Sequence, residues 1–404
     1  GVASFFCISL FIGIIGYGNA MVAQYYGAGH IAKCPRVVTQ GVLIALVSSP
    51  VLLLAALLGG EAFALMGHDP EQVPLERTYF HVLMAGSLFT LIKAALASYF
   101  AGIGRTSVVM IADLFGTALN VPLSWALVFG KLGLPALGIA GAGLGTVIAS
   151  LFTIGALLGF YLSRSHRDRF SVARSFHFDR GIMRRYLRLG TPSGLEMFMN
   201  IATFNLFMLL FQSYGVTEGT AMAIVFNWDM LSFIPMLGLS IGVMSLIGRF
   251  VGAGDIRRAN QVIASAFILA CTYAGCLALI FLIHRTALVT LFDNGDADFG
   301  EIIELGSRMM LGLAMYTIAD AAILSAGGVL RGAGDTRWIM VTSISVHWLM
   351  LVVQYFVIVV FAYGPMISWW VFVAMLLSLA ILYLGRLFSG TWRHPERLAR
   401  VMRE

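Results

Sequence analysis

Eleven stretches of mainly apolar residues follow one another along this 404-residue chain. They run approximately 1–23, 37–60, 79–101, 107–130, 138–163, 189–213, 218–247, 259–284, 302–330, 338–362 and 366–387. A helix needs about 20 such residues to cross a hydrocarbon core of about 30 Å. Inside lipid the backbone must satisfy its own polar groups, so only helices or closed barrels span it. Strand-like alternation is absent, which predicts an all-α, polytopic membrane protein. Composition agrees. Residues of the AVILMFWYC set make up 59% and charged residues only 11%, against about a quarter charged in a soluble domain. That excludes most soluble enzymes and nucleic-acid binders; the bilayer is the expected partner and nucleic acid is not. Gly138, Gly141, Gly143 and Gly145 cluster in one stretch, where small residues let membrane helices approach closely.

Charge placement predicts orientation. Taking alternate loops as one side puts 21 of the 26 basic residues there, eight of them between Arg164 and Arg188. The opposite side holds Arg77, Lys131 and Arg285, with Asp69, Glu71, Asp293, Asp296 and Asp298. The Arg-rich side is therefore expected to be cytoplasmic, with the C-terminus inside and the chain in the cell (inner) membrane. Arg164–Arg188 reads as a cytoplasmic linker, either a topology signal or a segment drawn to anionic lipid. The cysteines Cys7, Cys34, Cys271 and Cys276 lack metal-site spacing, so neither a disulfide framework nor a structural metal is expected. No P-loop, H-E-x-x-H or G-x-S-x-G pattern suggests an enzyme.

The sequence repeats internally. Gly13, Gly27, Ala28 and Gly29 recur 225 residues later as Gly238, Gly252, Ala253 and Gly254, and Gly102, Gly104 and Thr106 recur as Gly332, Gly334 and Thr336. Duplicated halves are the usual build of secondary transporters. The second half shows six spans and the first only five. The expectation is a twelve-span protein whose first helix lies upstream of Gly1, in two halves facing the same way. The expected domains are an N-terminal lobe 1–163, the linker 164–188, a C-terminal lobe 189–388 and a cytoplasmic tail 389–404.

Three motifs carry a family resemblance. Val22-Ala23-Gln24-Tyr25-Tyr26-Gly27-Ala28-Gly29, Gly190-Thr191-Pro192-Ser193-Gly194-Leu195-Glu196 and Leu330-Arg331-Gly332-Ala333-Gly334-Asp335-Thr336-Arg337 resemble the sequences after the second helix, at the start of the seventh and after the tenth helix of MATE (multidrug and toxic compound extrusion) transporters. The resemblance implies two six-helix bundles forming a V, and Na⁺- or H⁺-coupled export of amphipathic, often cationic small molecules, with no other cofactor. It implies that Asp320 matches the family's helix-10 aspartate. Asn200 stands where part of the family has a helix-7 carboxylate, and Glu196 lies one turn earlier. We expect a monomer.

Acids at membrane depth sharpen the expectation. Counting about 1.5 Å per residue, Glu196 lies roughly 12 Å from the inner edge, Asp320 roughly 16 Å and Asp229 roughly 14 Å. An ionised carboxylate there costs about 2.5–3.5 kcal/mol on insertion scales, so such residues face water, a partner or an ion. Asn200 shares a helix face with Glu196, and Tyr316 and Thr317 share one with Asp320. The candidate ion-coupling set is Asp320, Glu196, Asn200, Tyr316 and Asp229, with Asp320 and Glu196 as possible Na⁺ ligands. Methionine adapts to varied shapes, and Met197, Met199, Phe204 and Thr317 are the candidate substrate-cavity residues, although such stripes more often serve packing. Lys93 and Asp113 are expected to neutralise each other, and His347 to make a polar contact within its lobe. Pro192, near the start of its helix, should be tolerated there; Pro235 should kink the next. The alternative function is a related flippase for lipid-linked saccharides. It is weakened because the expected spans hold only Lys93 and Arg308 as cations.

Overall fold

The computed structural model describes residues 1–60, 71–293 and 299–403, all helix, turn or loop with no strand among them. Asp69, Asp296 and Asp298 lie outside the described residues. Among the described residues ten helices are long and apolar enough to cross a membrane, or up to eleven spans if a bent pair is taken as one. The first span is α1 (Val2–Gly16) running into α2 (Gly18–Gly27). Then come α3 (Cys34–Gly59), the bent pair α4 (Val73–Ala85) and α5 (Ser87–Gly102), α6 (Thr106–Phe129) and α7 (Ile139–Tyr161). The short α8 (Arg164–Phe170) precedes α9 (Arg180–Gln212), α10 (Val216–Gly252) and α11 (Ile256–Ile283). After the short α12 (Arg285–Thr290) follow α13 (Phe299–Gly332), α14 (Thr336–Tyr355), α15 (Pro365–Phe388) and the terminal α16 (Pro395–Met402). Large apolar side chains stay uncovered along these spans, with Leu57 69%, Ile268 69% and Ile381 70% exposed. In a bilayer lipid covers them.

The repeat has a physical origin at helix ends. Gly29, Gly104, Gly254 and Gly334 all adopt positive φ, between 72° and 83°. In each case the residue after the glycine donates its N–H back to a carbonyl in the last helical turn: His30 to Tyr25, Arg105 to Phe100, Asp255 to Phe250 and Asp335 to Leu330, at 2.8–2.9 Å. This is the Schellman closure, which a Cβ would strain. The duplicated Gly-x-Gly motifs are thus four equivalent helix stops.

The chain divides into two compact units. The first comprises Gly1–Phe198 with Gly252–Gly254 and Arg403; the second comprises Met199–Val251 and Asp255–Met402. The division falls inside α9, beyond the expected lobe start at 189. Within the first unit, α6 and α7 touch almost backbone to backbone. A Cβ on Gly141 would sit 2.5 Å from the Leu127 carbonyl oxygen, and one on Gly143 would sit 2.8 Å from Val82. Lys93 Nζ meets Asp113 Oδ1 at 3.2 Å, the expected neutralising pair. All four cysteines are free. The second unit's core is aromatic: Phe207 stacks on Phe372 at 5.0 Å, and Phe226 meets Trp369 edge-on at 5.7 Å.

Two expectations fail at α9. Its helix begins at Arg180, not near 189, so Pro192 lies well inside it rather than at its start. Arg184, Arg185 and Arg188 are therefore part of a helix continuous with the span that follows, not of an irregular linker. The physical reason is a helical stripe hidden among the arginines. Ile182, Tyr186 and Leu189 are 0%, 1% and 6% exposed, at the spacing of one helix face. Tyr186 donates its hydroxyl to the Ile15 carbonyl at 2.6 Å. Arg185 is buried as well, lying 4.7 Å over the Tyr25 ring and donating to Gln24 Oε1.

The first unit also carries a titratable latch. His166 of α8 is buried, and its Nε2 lies 2.7 Å from the Tyr99 hydroxyl. Desolvation first, then Arg105 and Arg169, push its imidazole down to about 4. An undocked α8 would titrate near 6.5. Between these values the undocked state binds more protons, so docking is complete above pH 6.5 and weakens as pH falls toward 4. At pH 5 the loss is on the order of 1–2 kcal/mol. Hydrogen exchange of the α8 amides, corrected for intrinsic rates, should therefore be faster at pH 5 than at pH 7. His166→Gln should remove most of that pH dependence.

Candidate cation site in the second unit

The second unit brings three sequence-predicted residues together. Asp320 sits on α13 and is 7% exposed. Tyr316, one turn earlier on the same face, is 1% exposed. Asp229 comes from α10, with Oδ1 fully buried. The three interact: the Tyr316 hydroxyl faces the Asp229 carboxylate, and both carboxylates act on Tyr316 and on each other through their charge. Yet neither Asp229 Oδ1 nor the Tyr316 hydroxyl has a hydrogen-bond partner of regular geometry. Buried polar atoms without such partners are uncommon and need an explanation. Both atoms thus keep unfilled hydrogen-bonding capacity within the cluster.

Other candidates fall elsewhere. Asn200 Nδ2 donates to Ser343 Oγ at 2.8 Å, and His347 Nδ1 lies 2.8 Å from the Ser343 carbonyl, giving the polar contact expected of His347. Glu196 is buried in the first unit, at 5% exposure, whereas Asn200 belongs to the second. Thr317 is fully buried and its hydroxyl donates to the Leu313 carbonyl at 2.7 Å. Phe204 packs edge-on against Phe226 at 5.1 Å. Both therefore serve the core in this conformation. Met197 and Met199 are half-buried.

Among the described residues, no three His, Cys, Asp or Glu side chains converge as a metal site. Two acids and a phenol, by contrast, suit a monovalent cation or a proton. The sequence singled out Asp229 as a buried acid but gave no sign of its partner. Its contact with Tyr316 joins α10 to α13, a tertiary fact that no spacing encodes.

An all-helical, polytopic chain with duplicated halves and acids buried within its spans is a membrane transporter. The MatE family model matches residues 1–126 and 192–356, and the chain belongs to that family. It is 28% identical to the multidrug resistance protein NorM of Aliivibrio fischeri over 330 residues, covering 81% of this chain and 71% of that one. It is 28% identical to the multidrug resistance protein MdtK of Proteus mirabilis over 380 residues, covering 92% and 82%. Its fold matches the crystal structure of the eukaryotic MATE transporter AtDTX14 with a TM-score of 0.85 at 18% identity, over 99% of this chain and 88% of that one.

Proposed function

We propose that this transporter exports amphipathic, often cationic small molecules in exchange for Na⁺ or H⁺, and that it lies in the inner membrane with its C-terminus cytoplasmic. The relatives named for multidrug resistance support the cargo class. The observation that carries the coupling is the Asp229–Tyr316–Asp320 cluster. Two ionised carboxylates in a low-dielectric site repel each other, and one cation between them relieves that repulsion. Releasing the cation restores it, so occupancy biases the packing of α10 against α13. Asn200, which donates to Ser343, and Glu196, a third buried acid, are further proposed members of the coupling set.

The test uses the full chain in proteoliposomes loaded with ethidium. An inward Na⁺ gradient and an inward proton gradient are imposed in turn. One of them should drive dye efflux well above the no-gradient rate. Efflux that is indifferent to both gradients would remove ion coupling.

A further inference from the structure

The segment between α7 and α9 is tied to the first unit at both ends. At its start, α8 buries His166 and Phe170, whose rings stack at 4.5 Å. At its end Gln40 grips the main chain. Its Nε2 donates to the His177 carbonyl at 3.0 Å, and its Oε1 accepts the Asp179 N–H at 3.3 Å. Arg36 pairs with Asp179 at 3.3 Å. Between these anchors two phenyl rings are held outward: Phe176 is 64% exposed and Phe178 61%. Arg174 and Arg180 flank them and are exposed, as are Arg164, Arg167 and Arg169 on α8. The exposed acid among them, Asp168, faces Arg167 at 3.6 Å.

Depth decides what these rings meet. Gln40 lies about one turn inside the apolar run of α3 that opens at Val37. The backbone it grips therefore sits level with the end of a span, where headgroups meet acyl chains. Aromatic rings beside arginines are the composition that favours this boundary. A loop fixed at both ends cannot turn the rings inward, so water contact is avoided only if something covers them. The net positive charge around them selects an anionic cover.

We infer that segment 171–180 docks on anionic phospholipid headgroups of the adjoining leaflet, with Phe176 and Phe178 entering the acyl boundary and Arg174 and Arg180 meeting the phosphates. The test replaces Phe178 by Trp in the full chain, reconstituted in nanodiscs of phosphatidylcholine containing phosphatidylglycerol. Either lipid is brominated in turn at equal mole fraction, and the quenching of the wild type is subtracted. The added tryptophan should be quenched several-fold more by brominated phosphatidylglycerol. That preference should fall to parity in Arg174→Gln/Arg180→Gln, with the quenching by total lipid retained. Equal quenching by the two lipids in the otherwise native chain would overturn the anionic selection. Quenching by aqueous iodide but by neither lipid would overturn membrane docking and leave a protein partner as the cover. Phe176→Trp repeats the measurement should Phe178→Trp not fold.

Discussion

Asp320→Asn should abolish gradient-driven export, lowering dye efflux from proteoliposomes at least about tenfold while leaving the protein folded. The argument is one of charge and shape. Asn has the size and hydrogen-bonding capacity of Asp but no charge to lose or gain. With Asp320 neutral, the repulsion with Asp229 is gone whether or not an ion is present, so the ion no longer distinguishes two states. A ligand that does not discriminate between states cannot shift them. The burial of Asp320 makes the swap mild for stability, since removing a buried charge relieves a cost rather than adding one. Asp229→Asn should impair efflux in the same way, and the double variant should be no worse than either single, because both remove one shared interaction. Phe226→Leu, a packing change nearby, should keep its ion dependence. Full gradient-driven export by Asp320→Asn, with equal protein in the vesicles, would sink the site.

What was legible in the sequence follows from what local patterns encode. Spans were legible because crossing lipid demands an uninterrupted apolar run, and Val2–Gly27 or Pro365–Phe388 leaves little room for another reading. The Gly-x-Gly motifs were legible as a repeat but not as helix stops, although a left-handed closure selects glycine by itself. Lys93 and Asp113 were legible because two opposite charges at similar depth on neighbouring helices have few other ways to be neutralised. The bend of 46° between α4 and α5 was not foreseen, since the apolar run continues across Gly86. Nor was the early start of α9. Its arginines carried the positive-inside signal, and that signal masked the stripe of Ile182, Tyr186 and Leu189. A helical-periodicity check on 180–190 alone would have found it. The roles of Asp229 and Asp335 depend on partners far along the chain, which one sequence without relatives cannot pair.

Asp335 carries the second large expectation, a structural one. The second-half stop motif Gly332-Ala333-Gly334 is followed by Asp335, where the first-half motif is followed by Arg105. That exchange is not neutral. The Asp335 side chain is fully buried, and its two oxygens are divided between two arginines. Arg386 Nε at the end of α15 donates to Oδ2 at 2.9 Å, and Arg397 of α16 donates to Oδ1. Arg386 also lies 5.3 Å over the Trp338 ring. Gly334 completes the seat: a Cβ there would come within 2.5 Å of Val401 on α16. One carboxylate thus fastens the turn before α14, the end of α15 and the terminal helix together. Removing one partner of a buried pair leaves the other charge uncompensated, at about 3–5 kcal/mol. Arg397 is a third exposed and recovers part of its hydration, which places Asp335→Ala near the lower end, at about 3 kcal/mol. That is a large share of the stability of any domain. Asp335→Ala should therefore melt many degrees lower in detergent and accumulate poorly. Arg397→Ala should cost much less and mainly free α16, seen as faster tryptic cleavage at Arg393 and Arg400. The ordering tests the geometry, because a surface charge cluster would give similar small losses for both. If Asp335→Ala melts with the wild type, Asp335 does not fasten these three elements.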